Sequence, residues 1–149
     1  MDTVNMLNKP RTKVGFRIFA PSLDPSKVSQ VLGLTPDHTH LVGDYPRDNP
    51  RYNPYKHGMW ALHSKLLSEE PFTMHLENLL SILEPKQKQI LELSEKNSVD
   101  FSCSLFSQSG FQLPPNLLRR IANLGATLGV DVYPSNEASK DDNLLTDLD

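Results

Sequence analysis

The chain opens its first clear rhythm at KVGFRIFA, Lys13 to Ala20. Val14, Phe16, Ile18 and Ala20 fall on one side of an extended backbone, and Lys13, Gly15, Arg17 and Phe19 on the other, which predicts a half-buried strand. The next stretch changes period. Asp24 is placed to cap a helix and Pro25 to occupy its first position, where the missing N–H costs nothing. Val28, Val31 and Leu32 then form an apolar stripe, and Gly33 supplies the stop. GMWALHSKL returns to alternation, with Trp60, Leu62 and Ser64 opposite Met59, Ala61, His63 and Lys65.

The strongest helical pattern follows in PFTMHLENLLSILEP, where Phe72, Leu76, Leu79, Leu80 and Leu83 share one face. Pro85 interrupts it, and KQKQILELSEKN continues as a shorter helix with Ile90 and Leu93 inward. SVDFSCSLF is a clean strand, with Val99, Phe101, Cys103 and Leu105 opposite Asp100, Ser102, Ser104 and Phe106. After a turn at Gly110, PPNLLRRIANLG predicts a helix with Leu117, Ile121 and Leu124 inward and Gly125 as its cap. GVDVY closes as a strand with Val130 and Val132 inward. Between Thr35 and His57 no period survives, although THLVGD could hold a short strand; Pro36, Pro46, Pro50 and Pro54 break any longer ladder.

Strands that alternate in this way do not suit a parallel sheet covered on both faces, which needs continuous apolar runs. The expected fold is therefore α+β: a two-layer sandwich of ferredoxin-like (split βαβ) type, with extra helices inserted between its halves. Its sheet is mainly antiparallel and covered by helices on one face. Three segments are expected: a flexible N-terminal segment at 1–12, one α+β domain at 13–133, and an acidic disordered tail at 134–149. The reverse face of the sheet would carry Arg17, His63, Asp100, Ser102, Ser104, Asp131 and Tyr133.

Charge narrows the choice of partner. The 149 residues carry a formal charge of −3. The segment from Pro134 onward holds one basic residue, Lys140, against five acidic ones, Glu137, Asp141, Asp142, Asp147 and Asp149. The body is thus nearly neutral and has no basic run, so nucleic-acid binding is not expected. No apolar stretch reaches the ~20 residues of a spanning helix, and no membrane partner is expected. Cys103 is the single cysteine, which excludes an internal disulfide and suggests a reducing, cytoplasmic setting.

FRIF, LDPSKVSQVLGLTPD, GD, HGMWAL and LPPNLLRRIANLGATLGVDVY together resemble a bacterial family known as domain of unknown function 4279. The resemblance spans about Val14 to Tyr133. Its recognisable elements are LGLTP after the first helix, the Gly-x-Trp of the second strand, and the closing helix with DVY. It implies a small cytoplasmic bacterial α+β domain and brings no catalytic motif. Some members look immunity-like or partner-binding in style.

Candidate chemistry is sparse. Trp60, alternating with small and apolar neighbours, reads as a core anchor whose indole N–H finds a carbonyl. His38 and His40 are spaced to project to one side of an extended segment, and with His57 and His63 they form the candidate metal set. A Pro-rich loop and the lack of a matching downstream pair weigh against that set, and no cofactor is expected. Arg47, Arg51, Tyr52 and Tyr55 lie in a Tyr/Arg-rich loop at 44–57 that suits an interface. The same residues also describe a solvated loop in which tyrosines cover apolar surface. A Ser102 or Ser104 pair with His63 would need a third orienting group and an oxyanion hole. No nucleophile elbow, phosphate loop or paired-carboxylate signature is present.

The expected function is a non-enzymatic binding module for a protein partner, acting through the open sheet face or the loop, with Arg17 and Tyr133 as sheet-face contributors. Homodimerisation is a further expectation. The rival is a small-molecule or metal-dependent enzyme using His38, His40, His57 and His63.

Overall fold

A computed structural model describes residues 9–134. The elements run β1 (Arg11–Ala20), α1 (Pro25–Leu32), β2 (His38–His40), β3 (Gly58–His63), α2 (Phe72–Leu83), α3 (Gln87–Ser94), β4 (Ser98–Phe106), α4 (Pro115–Asn123) and β5 (Thr127–Tyr133). Short 3₁₀ turns sit at Pro46–Asp48 and Glu84–Lys86. One five-stranded sheet is ordered β2-β3-β1-β4-β5. Every neighbouring pair is antiparallel except β4 and β5. β1 and β2 both oppose β3, so they run parallel with β3 between them, which is the split βαβ relation. β5 stands outside that relation, beside its parallel neighbour β4 and joined to it through α4.

Alternation decides the two layers. Val14, Phe16 and Ile18 of β1, Trp60 and Leu62 of β3, and Val99, Phe101, Cys103 and Leu105 of β4 form one buried cluster. Residues from all four helices close over it, among them Val28, Leu32, Leu76, Leu80, Ile90, Leu117 and Ile121. At its centre the Phe16 ring meets Phe101 edge-on at 5.3 Å and Trp60 at 6.5 Å, separations at which aromatic pairs attract. The two-layer α+β architecture expected from the pattern is the one observed.

Local signals set the ends of α1. Asp24 Oδ1 accepts from the Ser26 backbone N–H at 3.0 Å, Pro25 takes the first helical position, and Gly33 turns the chain out at φ 65°. α4 carries its own clasp. The Arg120 guanidinium donates to both Glu84 oxygens at 2.7 and 3.0 Å and to both Glu77 oxygens at 2.8 Å, tying α4 to α2 and the turn after it.

Several expectations shift. β1 begins at Arg11, two residues before the expected Lys13, because Arg11 and Thr12 pair with Phe106 and Leu105. Val31 is exposed: α1 is only eight residues long, and its inward stripe is Pro25, Val28 and Leu32. Val132 is also exposed, since it lies near the end of an edge strand past the cover of the helices. The expected tail at 134–149 lies outside the described residues apart from Pro134, and so does most of the expected flexible segment at 1–12.

The Gly-x-Trp of β3 has a physical reason at each end. Trp60 is fully buried, and its indole N–H donates to the Ser29 hydroxyl on α1 at 3.0 Å, not to a carbonyl as expected. Gly58 faces the β1–α1 connection so closely that a Cβ there would overlap the Leu23 carbonyl oxygen. Trp60→Ala is expected to cost about 3–5 kcal/mol, through lost burial and the cavity left behind. Gly58→Ala is expected to cost about 1–3 kcal/mol through displaced backbone. Urea midpoints of the two variants against the parent protein measure both, and a Trp60→Ala midpoint equal to the parent's would refute the anchoring role.

Candidate functional site

The face of the sheet away from the helices is built by the second set of alternate positions. The register places Arg17 across from Ala61 and Asp100, Gly15 across from His63 and Ser102, Lys13 across from Ser104, and Ser104 across from Asp131. Phe106 lies across from Tyr133, and His38 and His40 lie across from Ala61 and Met59. All seven residues expected on this face therefore share it. It is not the uniformly wet surface expected, because Met59, Ala61, Ser102, Ser104 and Phe106 are buried. Long side chains fold across it. The Arg17 guanidinium makes a two-point bond to Asp100 at 2.9 and 2.7 Å and lies 5.1 Å from the Phe19 ring centre. Arg11 sits 4.9 Å over Phe106, and Tyr133 stacks on the same ring.

β2 and the loop after it make a second region. The His38 and His40 rings reach one another on the same face, with Nε2 of His38 2.9 Å from Nδ1 of His40. His40 stacks flat on Tyr55, with ring centres 3.5 Å apart. Tyr55, one of the proposed binding residues, is therefore buried and serves as a fastener, in line with the alternative reading in which the loop tyrosines cover apolar surface. Backbone bonds complete the closure. Gly43 N–H donates to the Tyr55 carbonyl, Tyr55 N–H to the Asp44 carbonyl, and Leu41 N–H to the Asp44 carboxylate.

The closed loop presents what remains. Leu41, Val42, Tyr45 and Tyr52 are 43–51% exposed, so four large apolar side chains on this one loop reach solvent. Arg47 and Arg51 are exposed beside them, and the Arg47 guanidinium lies 5.9 Å over the Tyr52 ring. Arg47 and Asp48 both hold φ near 55°, a left-handed conformation that costs side-chain-bearing residues of order 1–3 kcal/mol each. The surrounding bonds hold that strain in place.

The six residues proposed from sequence as binding residues do not form one patch. Arg47, Arg51, Tyr52 and Tyr55 stand on the loop that follows the edge strand β2. Arg17 is on the central strand, and Tyr133 is on the opposite edge strand. The histidines are also divided. His38 and His40 touch, whereas His57 meets Phe19 edge-on at 5.8 Å. His63 is the last residue of β3, and its backbone N–H donates to Asp37, which also pairs with Lys65. Among the described residues, no group of three or more His, Cys, Asp or Glu side chains is placed to hold a metal ion. Burial pushes the Cys103 thiol far above its ordinary value and keeps it protonated.

A third grouping was not anticipated. Ser64, just past β3, lies 2.6 Å from Nδ1 of His75 in the first turn of α2. Both line a cavity of about 250 Å³ with Thr12, Val14, Leu66 and Ser68. The signal was present in the sequence. Ser64 shares its side of the strand with Trp60 and Leu62, and His75 lies three residues after Phe72 and four before Leu79, on the apolar side of its helix.

The family described as Domain of unknown function (DUF4279) matches residues 10–135, and the chain belongs to that family. Neither the curated proteins nor the solved structures contain a match to it. LGLTP and Gly-x-Trp, which carried the resemblance, correspond to the end of α1 and to the Gly58–Trp60 contact with the β1–α1 segment.

Burial lowers the pKa values of His38, His63 and His75. For His63 the Asp37 carboxylate opposes part of the shift, and for His75 the Glu70 and Leu67 carbonyls do the same. The folded protein thus binds protons at these rings less readily than the unfolded chain, whose histidines titrate near about 6.5. The associated stability is fully present above that value and is lost as pH falls from it toward the folded-state values. Urea midpoints are expected to decline between pH 7 and pH 5.5, and His75→Gln is expected to flatten that slope. An unchanged slope in the variant would count against His75.

Proposed function

We propose that this protein is a protein-binding module and that the ordered loop at 41–55 is its docking surface. The observation behind this reading is the exposed group Leu41, Val42, Tyr45 and Tyr52, held on a loop closed by backbone bonds and the Tyr55–His40 stack. Interfaces favour tyrosine and arginine anchors with apolar neighbours, and a pre-shaped loop loses little freedom on docking. The sheet face is the weaker candidate. Its centre is already covered, and Arg17 is committed to Asp100.

The partner that fits is a protein with an apolar depression bordered by carboxylates, which Arg47 and Arg51 would meet at the rim. A bacterial cytoplasmic setting and an immunity-like role belong to the same reading. They rest on the family resemblance and on a lone, buried, protonated cysteine. A second copy of this chain is the other occupant to be distinguished.

Photocrosslinkable residues placed at Tyr52 and, as a comparison, at Arg119 on α4 test the proposal in native extract. The Tyr52 position is expected to capture one defined protein. The affinity of that protein for the unlabelled chain is expected to fall at least about tenfold in Tyr52→Ala and in Arg51→Ala, in keeping with hot-spot residues. Capture of this chain itself would replace the partner by a homodimer. Equal capture from both positions, or affinities unchanged in the variants, would overturn the proposal.

A further inference from the structure

The cavity between the ends of β1 and β3 and the start of α2 contains an arrangement that packing alone does not require. Ser64 is half-buried and His75 is almost wholly buried. Their 2.6 Å contact is within the reach required between a nucleophile and its base. The neighbours favour Ser64 as the donor. The backbone N–H of Leu66 donates to Ser64 Oγ at 3.3 Å, so the hydroxyl hydrogen is free to point at His75 Nδ1. Nδ1 then accepts, and the ring proton resides on Nε2. That nitrogen is buried without a formed hydrogen bond, and the Glu70 and Leu67 carbonyls in the ring's surroundings favour a protonated nitrogen. Burial keeps the imidazole neutral, as a base must be before it accepts a proton.

We infer that Ser64 is a nucleophile activated by His75 and that the cavity accepts small acyl esters. Ser64 Oγ bonds to the acyl carbon while its proton passes to His75 Nδ1. The bond from that carbon to the alcohol oxygen breaks, and the departing alcohol takes the proton from His75. A water then attacks the acyl carbon and gives a proton to His75. The carboxylic acid leaves as Ser64 Oγ recovers that proton.

Two features favour the negative charge that develops on the acyl oxygen. His75 is in the first turn of α2, so the cavity adjoins the positive end of a twelve-residue helix. Thr12 Oγ1 already accepts from Gln108 Nε2 at 3.0 Å, which leaves its own proton to donate inward. A volume of about 250 Å³ is just under the usual range for drug-sized ligands, about 300–1,000 Å³, and suits a short acyl group. The site is independent of the loop at 41–55, so neither proposal depends on the other.

The test is reaction of the full chain with a small alkyl fluorophosphonate, followed by peptide mass spectrometry, with 4-nitrophenyl acetate hydrolysis measured in parallel. The expected result is an adduct on Ser64 formed on the order of a hundredfold faster than on the exposed Ser81. The adduct should be absent in Ser64→Ala, and its rate should fall by a similar factor in His75→Gln, with circular dichroism verifying that both variants fold. No Ser64 adduct in the parent protein would overturn the inference whatever the variants do. So would a rate no faster than at Ser81, or a rate unchanged in a folded His75→Gln.

Discussion

Phe16 stands where the three longest-paired strands and the helical layer meet. Its ring touches Trp60 on one neighbouring strand and Phe101 on the other, and it is fully buried. Because side chains alternate across a strand, placing Phe16 under the helices also determines which way Arg17 and Gly15 face. The antiparallel register then carries the same decision into β3 and β4. A slip of β1 by one residue would turn Val14, Phe16 and Ile18 outward and carry Arg17 under the helices, away from Asp100. The loss of apolar burial and the cost of the buried charge would act in the same direction. The architecture depends on that parity more than on any single contact.

Two sets of charged groups work around this core in different ways. Arg17 and Asp100 lie across a strand pair on the face without helices, where the guanidinium and its stem also shield Phe19. Arg120 with Glu77 and Glu84 instead closes the outside of the helical layer, and holding two carboxylates keeps Glu84 ionised below its ordinary range. Neither group is deeply buried, so each fixes geometry more than it adds stability.

The fold was legible wherever a period ran long enough to be read. Val14 to Ile18, Val99 to Leu105 and the Phe72–Leu83 stripe were assigned to the correct faces, because two-residue and 3.6-residue periods sort side chains before any tertiary contact forms. Short elements defeated the same logic. Val31 looked inward from a helix too brief to cover it, and Val132 looked inward from a strand that outruns its helix. Tyr55 was left with two readings for a different reason: its partner, His40, is fifteen residues away, across a loop with no period at all. Ser64 and His75 were each visible as inward polar residues, but their pairing joins a strand end to a helix start, and spacing along the chain does not encode that meeting.

The single tryptophan offers one practical consequence. Trp60 is sealed between β3 and α1, with its nitrogen held by Ser29. An indole in such dry surroundings emits at shorter wavelength than one in water, so the protein carries its own optical gauge of whether the first helix is seated. Light emitted by this ring should therefore report the opening of that one seam directly, without dye or label, and remain silent to movements confined to the distant β5 edge.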